Sequence, residues 1–168
     1  MLLASRPYIQ NKTQFIQQFN QAREEIRALL PGIDLHLEIY PGWKIKEVLS
    51  HLTGWDDVTI LALQDFVAGN PPLMTAMRGI DYYNSQTVAE RKSLDYDQIV
   101  REWEWVREQL MPILDQLTEE NLATQVVAPW GTSMTVENMI NIMIHHEKEH
   151  AEAIRERIAN PGHPPQDH

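Results

Sequence analysis

From His145 to Ile154 the chain reads HHEKEHAEAI, and inside it HEKEH has the form H-E-x-x-H. Imidazoles at i and i+4 on a helix lie about 6 Å apart along the axis and about 40° apart around it, so both can converge on one ion. In a zinc protease with this signature, the glutamate between them is the general base acting on metal-bound water. Such an enzyme also needs a third ligand downstream. The downstream residues are AEAIRERIANPGH, with neither the H-x-x-G-x-x-H extension nor a later helix to carry a glutamate. No strand is evident to bind an extended peptide. The pair His146 and His150 is therefore better read as part of another site, and no cleavage of unstructured protein is expected.

A helical wheel of the last helix, drawn from Val136, gathers Val136, Met139, Ile140, Met143 and Ile154 on one side. His150 falls in the middle of that stripe and His146 on its edge, whereas His145 points away and reads as solvated. Glu147 lies about 60° from His150 and has two readings: a catalytic carboxylate facing the same cavity, or a surface carboxylate on a charged helix. A third histidine, His51, stands three residues after Val48 and four before Trp55, on or beside the apolar stripe of another helix. Buried histidines bonded to backbone carbonyls are the plain alternative. Three inward imidazoles on two helices would instead supply the nitrogen set that zinc or nickel prefers, with positions open for water and substrate.

Composition limits what such a site can serve. The 168 residues suit a single domain, with 43% hydrophobic and 23% charged residues, ordinary values for a globular chain. With no cysteine there is no disulfide framework, no thiolate zinc site and no cysteine nucleophile. Fourteen Lys and Arg against 24 Asp and Glu leave a net charge of −10, the wrong sign for a nucleic-acid ligand. The opening MLLASRPYIQ lacks the long apolar core and cleavage site of a signal peptide. The apolar run VTILAL, Val58 to Leu63, is far shorter than the roughly 20 residues that span a bilayer. A cytoplasmic protein with no membrane contact is expected.

Four principal helices must position the histidines. Phe15, Phe19, Ala22, Ile26 and Leu29 form the first stripe, ended by Pro31-Gly32, and His36 falls in the connector. Ile45, Val48, Leu49, Leu52, Trp55 and Leu63 form the second, stopped by Gly69-Asn70-Pro71-Pro72. Its interior Gly54 costs about 1 kcal/mol against alanine, which close packing would explain. DYYNSQTVAERKS reads as a shorter helical piece. Ile99, Trp103, Val106, Leu110, Ile113 and Leu117 mark the next long helix, capped by Ser93 or Asp95 and kinked at Pro112. Trp103 and Trp105 are about 200° apart, so one of them must face a groove or an interface such as a dimer contact. After the loop VVAPWGTS, Thr135 caps the last helix, Asn160-Pro161-Gly162 ends it, and a loose tail comes after. There is no internal repeat and no glycine-rich phosphate loop. The fold class is all-α, an antiparallel helical bundle with one long insertion. Trp55, Tyr83, Asn84 and Trp130 are candidate walls of a small-molecule pocket, with core packing as the simpler alternative.

The stretch WKIKEVLSHLTGWDD from Trp43, then NSQTVAERKSLDYDQIV from Asn84, PWGTSMTVENMI and HEKEHAEAI together resemble the DinB-like superfamily over about residues 11–158. The resemblance implies a four-helix bundle of up-down-down-up connectivity, in which many members carry a divalent metal on three histidines. Here the matching positions are His51, His146 and His150. Relatives include bacillithiol-dependent S-transferases, mycothiol-dependent maleylpyruvate isomerase and metal-dependent hydrolases, and dimers are common. The implied protein is a transferase or hydrolase acting on a small molecule, with a low-molecular-weight thiol as a candidate cosubstrate and a homodimer as the assembly. The absence of cysteine agrees with a thiol supplied from outside. The chain is also similar to the colibactin-resistance-like branch through the Gly-Trp of the second helix and Tyr83-Asn84. Members of that branch need not use the metal triad, so a non-catalytic binding or resistance bundle is the alternative.

Overall fold

The computed structural model describes residues 12–165 and 167, so the reading of MLLASRPYIQ lies outside the described residues. The chain order is α1 (Lys12–Arg27), β1 (Glu38–Tyr40), β2 (Trp43–Lys44), α2 (Ile45–Ala68), α3 (Ile80–Glu90), α4 (Tyr96–Gln116), α5 (Glu119–Ala123), β3 (Gln125–Val127), β4 (Ser133–Thr135) and α6 (Val136–Ala159). Local chemistry accounts for the ends. Gly69 takes the left-handed C-cap of α2 with φ of 71°. Asp95 caps α4 by accepting from the Gln98 amide, while the Gln98 side chain accepts from the Asp95 amide. Thr135 accepts from the Asn138 amide at the start of α6. Pro112 does not end α4, which continues to Gln116.

Two hydrophobic clusters give the helix directions. One joins Phe15 and Phe19 of α1 to Val58 and Leu63 of α2, Leu110 and Leu114 of α4, and Met139 to Ile144 of α6. The other joins Ile26 of α1 to Val48 and Leu49 of α2, Ile99 and Trp103 of α4, and Ile154 of α6. Thus α1 and α6 run one way while α2 and α4 run the other, which is up-down-down-up. This is the connectivity that the resemblance implies; apolar periodicity and short loops alone suggested an antiparallel bundle and did not show that α1 and α6, like α2 and α4, are parallel neighbours. Parallel helices cannot be joined by a tight turn, and the segment that includes α3 makes the return.

That insertion is fastened at Gly54. A Cβ built there would lie 2.3 Å from Thr87 Cγ2, so α3 packs directly on the α2 backbone. The cost of an interior glycine is therefore explained by contact. Two short antiparallel ladders, β1 with β2 and β3 with β4, are additions to the expected helices. The tail is less loose than expected, because Arg157 donates to the carbonyls of Asn160 and His163. No helix among the described residues is long and apolar enough to cross a membrane.

Between the two clusters lies a layer of buried charge, one residue from each long helix. Arg23 and Arg107 alternate with Asp56 and Glu147, all no more than 5% exposed. Arg23 meets Asp56 at 2.6 Å and Glu147 at 2.6 Å, and Arg107 meets Asp56 at 3.1 Å and Glu147 at 2.7 Å. Arg23 Nη1 also donates to the Trp103 carbonyl and Arg107 Nη1 to the Phe19 carbonyl. Burial pulls the Arg23 pKa below its ordinary value against the pull of Glu147 and Asp56, yet a guanidinium stays charged in proteins. Removing one partner strands the others. Asp56→Ala is expected to destabilise the fold by about 3–5 kcal/mol, measured by urea denaturation. Gly54→Ala is expected to cost about 1–3 kcal/mol in the same assay by forcing α3 off α2.

Candidate metal centre and its cavity

The three histidines meet. His51 comes from the second turn of α2, and His146 and His150 from successive turns of α6. His146 Nε2 lies 2.8 Å from His51 Nε2 and 3.0 Å from His150 Nε2. One proton on His146 Nε2 can serve only one of those two contacts, since each ring nitrogen is either a donor or an acceptor. Convergence of three ring-nitrogen donors is what a shared cation requires. His51 and His150 are buried and His146 is half-buried, so the group opens on one side only. This three-histidine group could hold a metal ion.

Two aromatic residues outside the set expected at the site hold the rings in place. Tyr40, at the end of β1, has its hydroxyl 2.9 Å from His150 Nδ1 and its ring edge-on to the same imidazole. Trp43, across the turn in β2, packs its ring 5.1 Å from His51. The β1–β2 hairpin exists to carry this pair, whose rings also meet edge to face at 6.4 Å. A signal was present in Y-P-G-W, since aromatics flanking a Pro-Gly turn mark a hairpin with a packed face. Burial, and then the nearby Glu149 carboxylate, push the Tyr40 hydroxyl up to about 12, so it stays protonated.

His51 and His146 form the floor of a cavity of about 420 Å³. Trp55, Asn84 and Trp130 line it as expected, with Met143, Ile142 and Ile80. Trp55 and Trp130 stand with ring centroids 5.8 Å apart. Tyr83 supports the wall from behind: its ring packs on Trp55 at 4.9 Å and its hydroxyl donates to the Gly54 carbonyl at 2.6 Å. His145 is exposed as expected, but it stands at the cavity rim with Glu149. Glu147 is not brought to the cavity. It is 1% exposed with both oxygens taken by Arg23 and Arg107, so it is neither a base beside the histidines nor a surface carboxylate. The 60° offset from His150 turns it toward the bundle axis, where the two guanidinium groups wait. Trp103 is buried in the core and Trp105 is 58% exposed, which settles which of the two faces outward.

A sequence model of the DinB superfamily matches residues 18–154. The chain belongs to the DinB superfamily. It is 31% identical over 154 residues to the uncharacterized protein YuaE of Bacillus subtilis strain 168, covering 82% of this chain and 93% of that protein. Two solved structures share its fold. One is a sibling lethal factor precursor, DfsB, with a TM-score of 0.75 at 19% identity, covering 90% of this chain and 96% of that one. The other is an uncharacterised protein of Escherichia coli UTI89, with a TM-score of 0.76 at 16% identity, covering 95% and 98%. At these identities the likeness is one of fold alone. Within this DinB-superfamily chain, the wall behind Trp55 can be probed through Tyr83, whose pKa is raised above the ordinary 10, first by burial and then by Asp57. The folded state holds this proton after the unfolded chain has lost it, so stability falls as pH rises above about 10. Tyr83→Phe is expected to cost about 1 kcal/mol near neutral pH and to flatten that alkaline loss, read from urea midpoints across pH.

Proposed function

We propose that this chain is a metal-dependent enzyme, a transferase or hydrolase, in which His51, His146 and His150 hold one divalent ion of the zinc or nickel type. The observation that carries the reading is the meeting of three imidazoles from two helices, two of which, His51 and His146, line an apolar cavity. A divalent ion bound there supplies Lewis acidity, which lowers the pKa of a water or of a low-molecular-weight thiol. With no cysteine in the chain, any thiol comes from a cosubstrate.

The chain's own residues do the rest. If His150 held the ion through Nε2, its proton would sit on Nδ1, 2.9 Å from the Tyr40 oxygen, and that hydrogen bond would fix both tautomer and ring orientation. Trp43 packs on His51 to the same end. Trp55 and Trp130 bind the apolar body of a small molecule and exclude water from the floor. One observation favours a second reading, a bundle that binds a small molecule without turning it over. With Glu147 in the charge layer, the one carboxylate lining the cavity among the described residues is the exposed Glu149, so no buried base faces the histidines.

Elemental analysis of protein stripped with chelator and reloaded separates the two. The expected result is about one equivalent of zinc or nickel, lost in His51→Ala and in His150→Ala. Tyr40→Phe is expected to keep the site but weaken metal affinity by about 10–100-fold. Stripped protein that takes up neither metal supports the binding bundle instead. For the loaded protein, thiol cosubstrates tested against small electrophiles, with thiol loss as the signal, report the transferase reaction.

A further inference from the structure

The cavity wall carries one polar group whose orientation is fixed by a neighbour. Trp55 Nε1–H donates to Asn84 at 3.0 Å, and an indole nitrogen is only ever a donor. The Asn84 atom facing it is therefore the carbonyl oxygen Oδ1, and the amide group Nδ2 is turned the other way. Asn84 is 92% buried by its 8% exposure and lines the cavity. Among the described residues Nδ2 has no protein acceptor, and it is not among the fully enclosed polar atoms, so what exposure the side chain has includes this donor. A buried amide that lines an apolar cavity, with its oxygen held by a tryptophan and its N–H donors left without a described protein acceptor, is a recognition group for an acceptor.

The other walls narrow the molecule further. Trp55 and Trp130 make an aromatic corner suited to a flat ring, and Met143 adds an adaptable thioether surface. Among the described residues no lysine or arginine lines the cavity, and the carboxylate at its rim is that of Glu149. In a chain of net charge −10, this rim disfavours anions as long as the three histidines hold no metal, whose two positive charges would attract them. Building on the enzyme reading above, we infer that the cavity walls select a ring-sized apolar substrate carrying a hydrogen-bond acceptor such as a carbonyl, uncharged where no metal is bound, and that Asn84 Nδ2 orients this acceptor. Asn84 is thus a substrate-positioning residue, and Trp55 sets its orientation.

Acetophenone serves as the neutral acceptor probe, cumene as a probe of similar shape without an acceptor, and benzoate as the anionic probe. Binding is measured by tryptophan fluorescence and by the NMR signal of the Trp55 indole N–H, on stripped protein and again on zinc-loaded protein. Asn84→Asp keeps an oxygen for Trp55 Nε1–H and replaces the donor by an acceptor; Asn84→Leu removes both, with thermal melts confirming that each variant folds. The expected result in stripped protein is that each variant weakens acetophenone about tenfold and leaves cumene within about twofold, and that benzoate binds more weakly than acetophenone. Acetophenone affinity unchanged in both variants, or benzoate binding the tightest of the three in stripped protein, overturns the inference. Because the contrast is read without metal, its failure is separate from failure of the metal site, which the elemental analysis reports.

Discussion

Everything in this bundle is keyed to four charges held away from water at its centre. Arg23, Asp56, Arg107 and Glu147 each come from a different long helix and alternate in sign. Burying such groups costs several kcal/mol each unless every one is paired and hydrogen-bonded, so the arrangement tolerates few alternatives. Sliding one helix by a turn would part its charge from two partners at once. Hydrophobic contacts above and below the layer contribute more of the driving force for folding, but they are permissive about register. The ionic layer is not.

Register matters because the histidines are counted from it. His51 stands five residues before Asp56 on α2, and on the oppositely running α6 His146 directly precedes Glu147 while His150 follows it by three. Once Asp56 and Glu147 share the same two guanidinium groups, the two helices are aligned in a register that brings His51 of α2 to His146 and His150 of α6. The H-E-x-x-H pattern thus divides its labour: the histidines serve the cavity, and the glutamate serves the core. In the protease signature all three would face one ion. Here the same spacing on a helix sends the glutamate to the axis of the bundle, where arginines from α1 and α4 claim it.

Around this frame the smaller elements act as braces. The β1–β2 hairpin brings Tyr40 and Trp43 against His150 and His51. The insertion sets α3 on Gly54, with the Tyr83 hydroxyl on the Gly54 carbonyl and Asn84 against the Trp55 indole. The cavity is consequently built by parts distant in sequence, its floor from α2 and α6 and its wall from α3 and the segment around Trp130. Apolar walls beside a converging nitrogen set make a low-dielectric site, where a charged centre is felt more strongly than in water.

The helices were legible from the chain alone, because apolar residues at steps of three and four and caps such as Asp95 and Thr135 are local facts. So was the inward direction of His51, His146 and His150, which a single helical wheel contains. The charge layer also left a trace: Arg23 follows Phe19 by four and precedes Ile26 by three, and Arg107 sits likewise between Trp103 and Leu110, each interrupting an apolar stripe. That trace says that a charge is buried but not with which partner. Pairing across helices, the choice of Glu147 for the core over the cavity, the parallel run of α2 and α4 and the approach of Tyr40 to His150 were decided only by tertiary structure. The physical reason is that periodicity fixes a direction around one axis, whereas a contact between two axes requires their relative position, which depends on every other contact in the bundle.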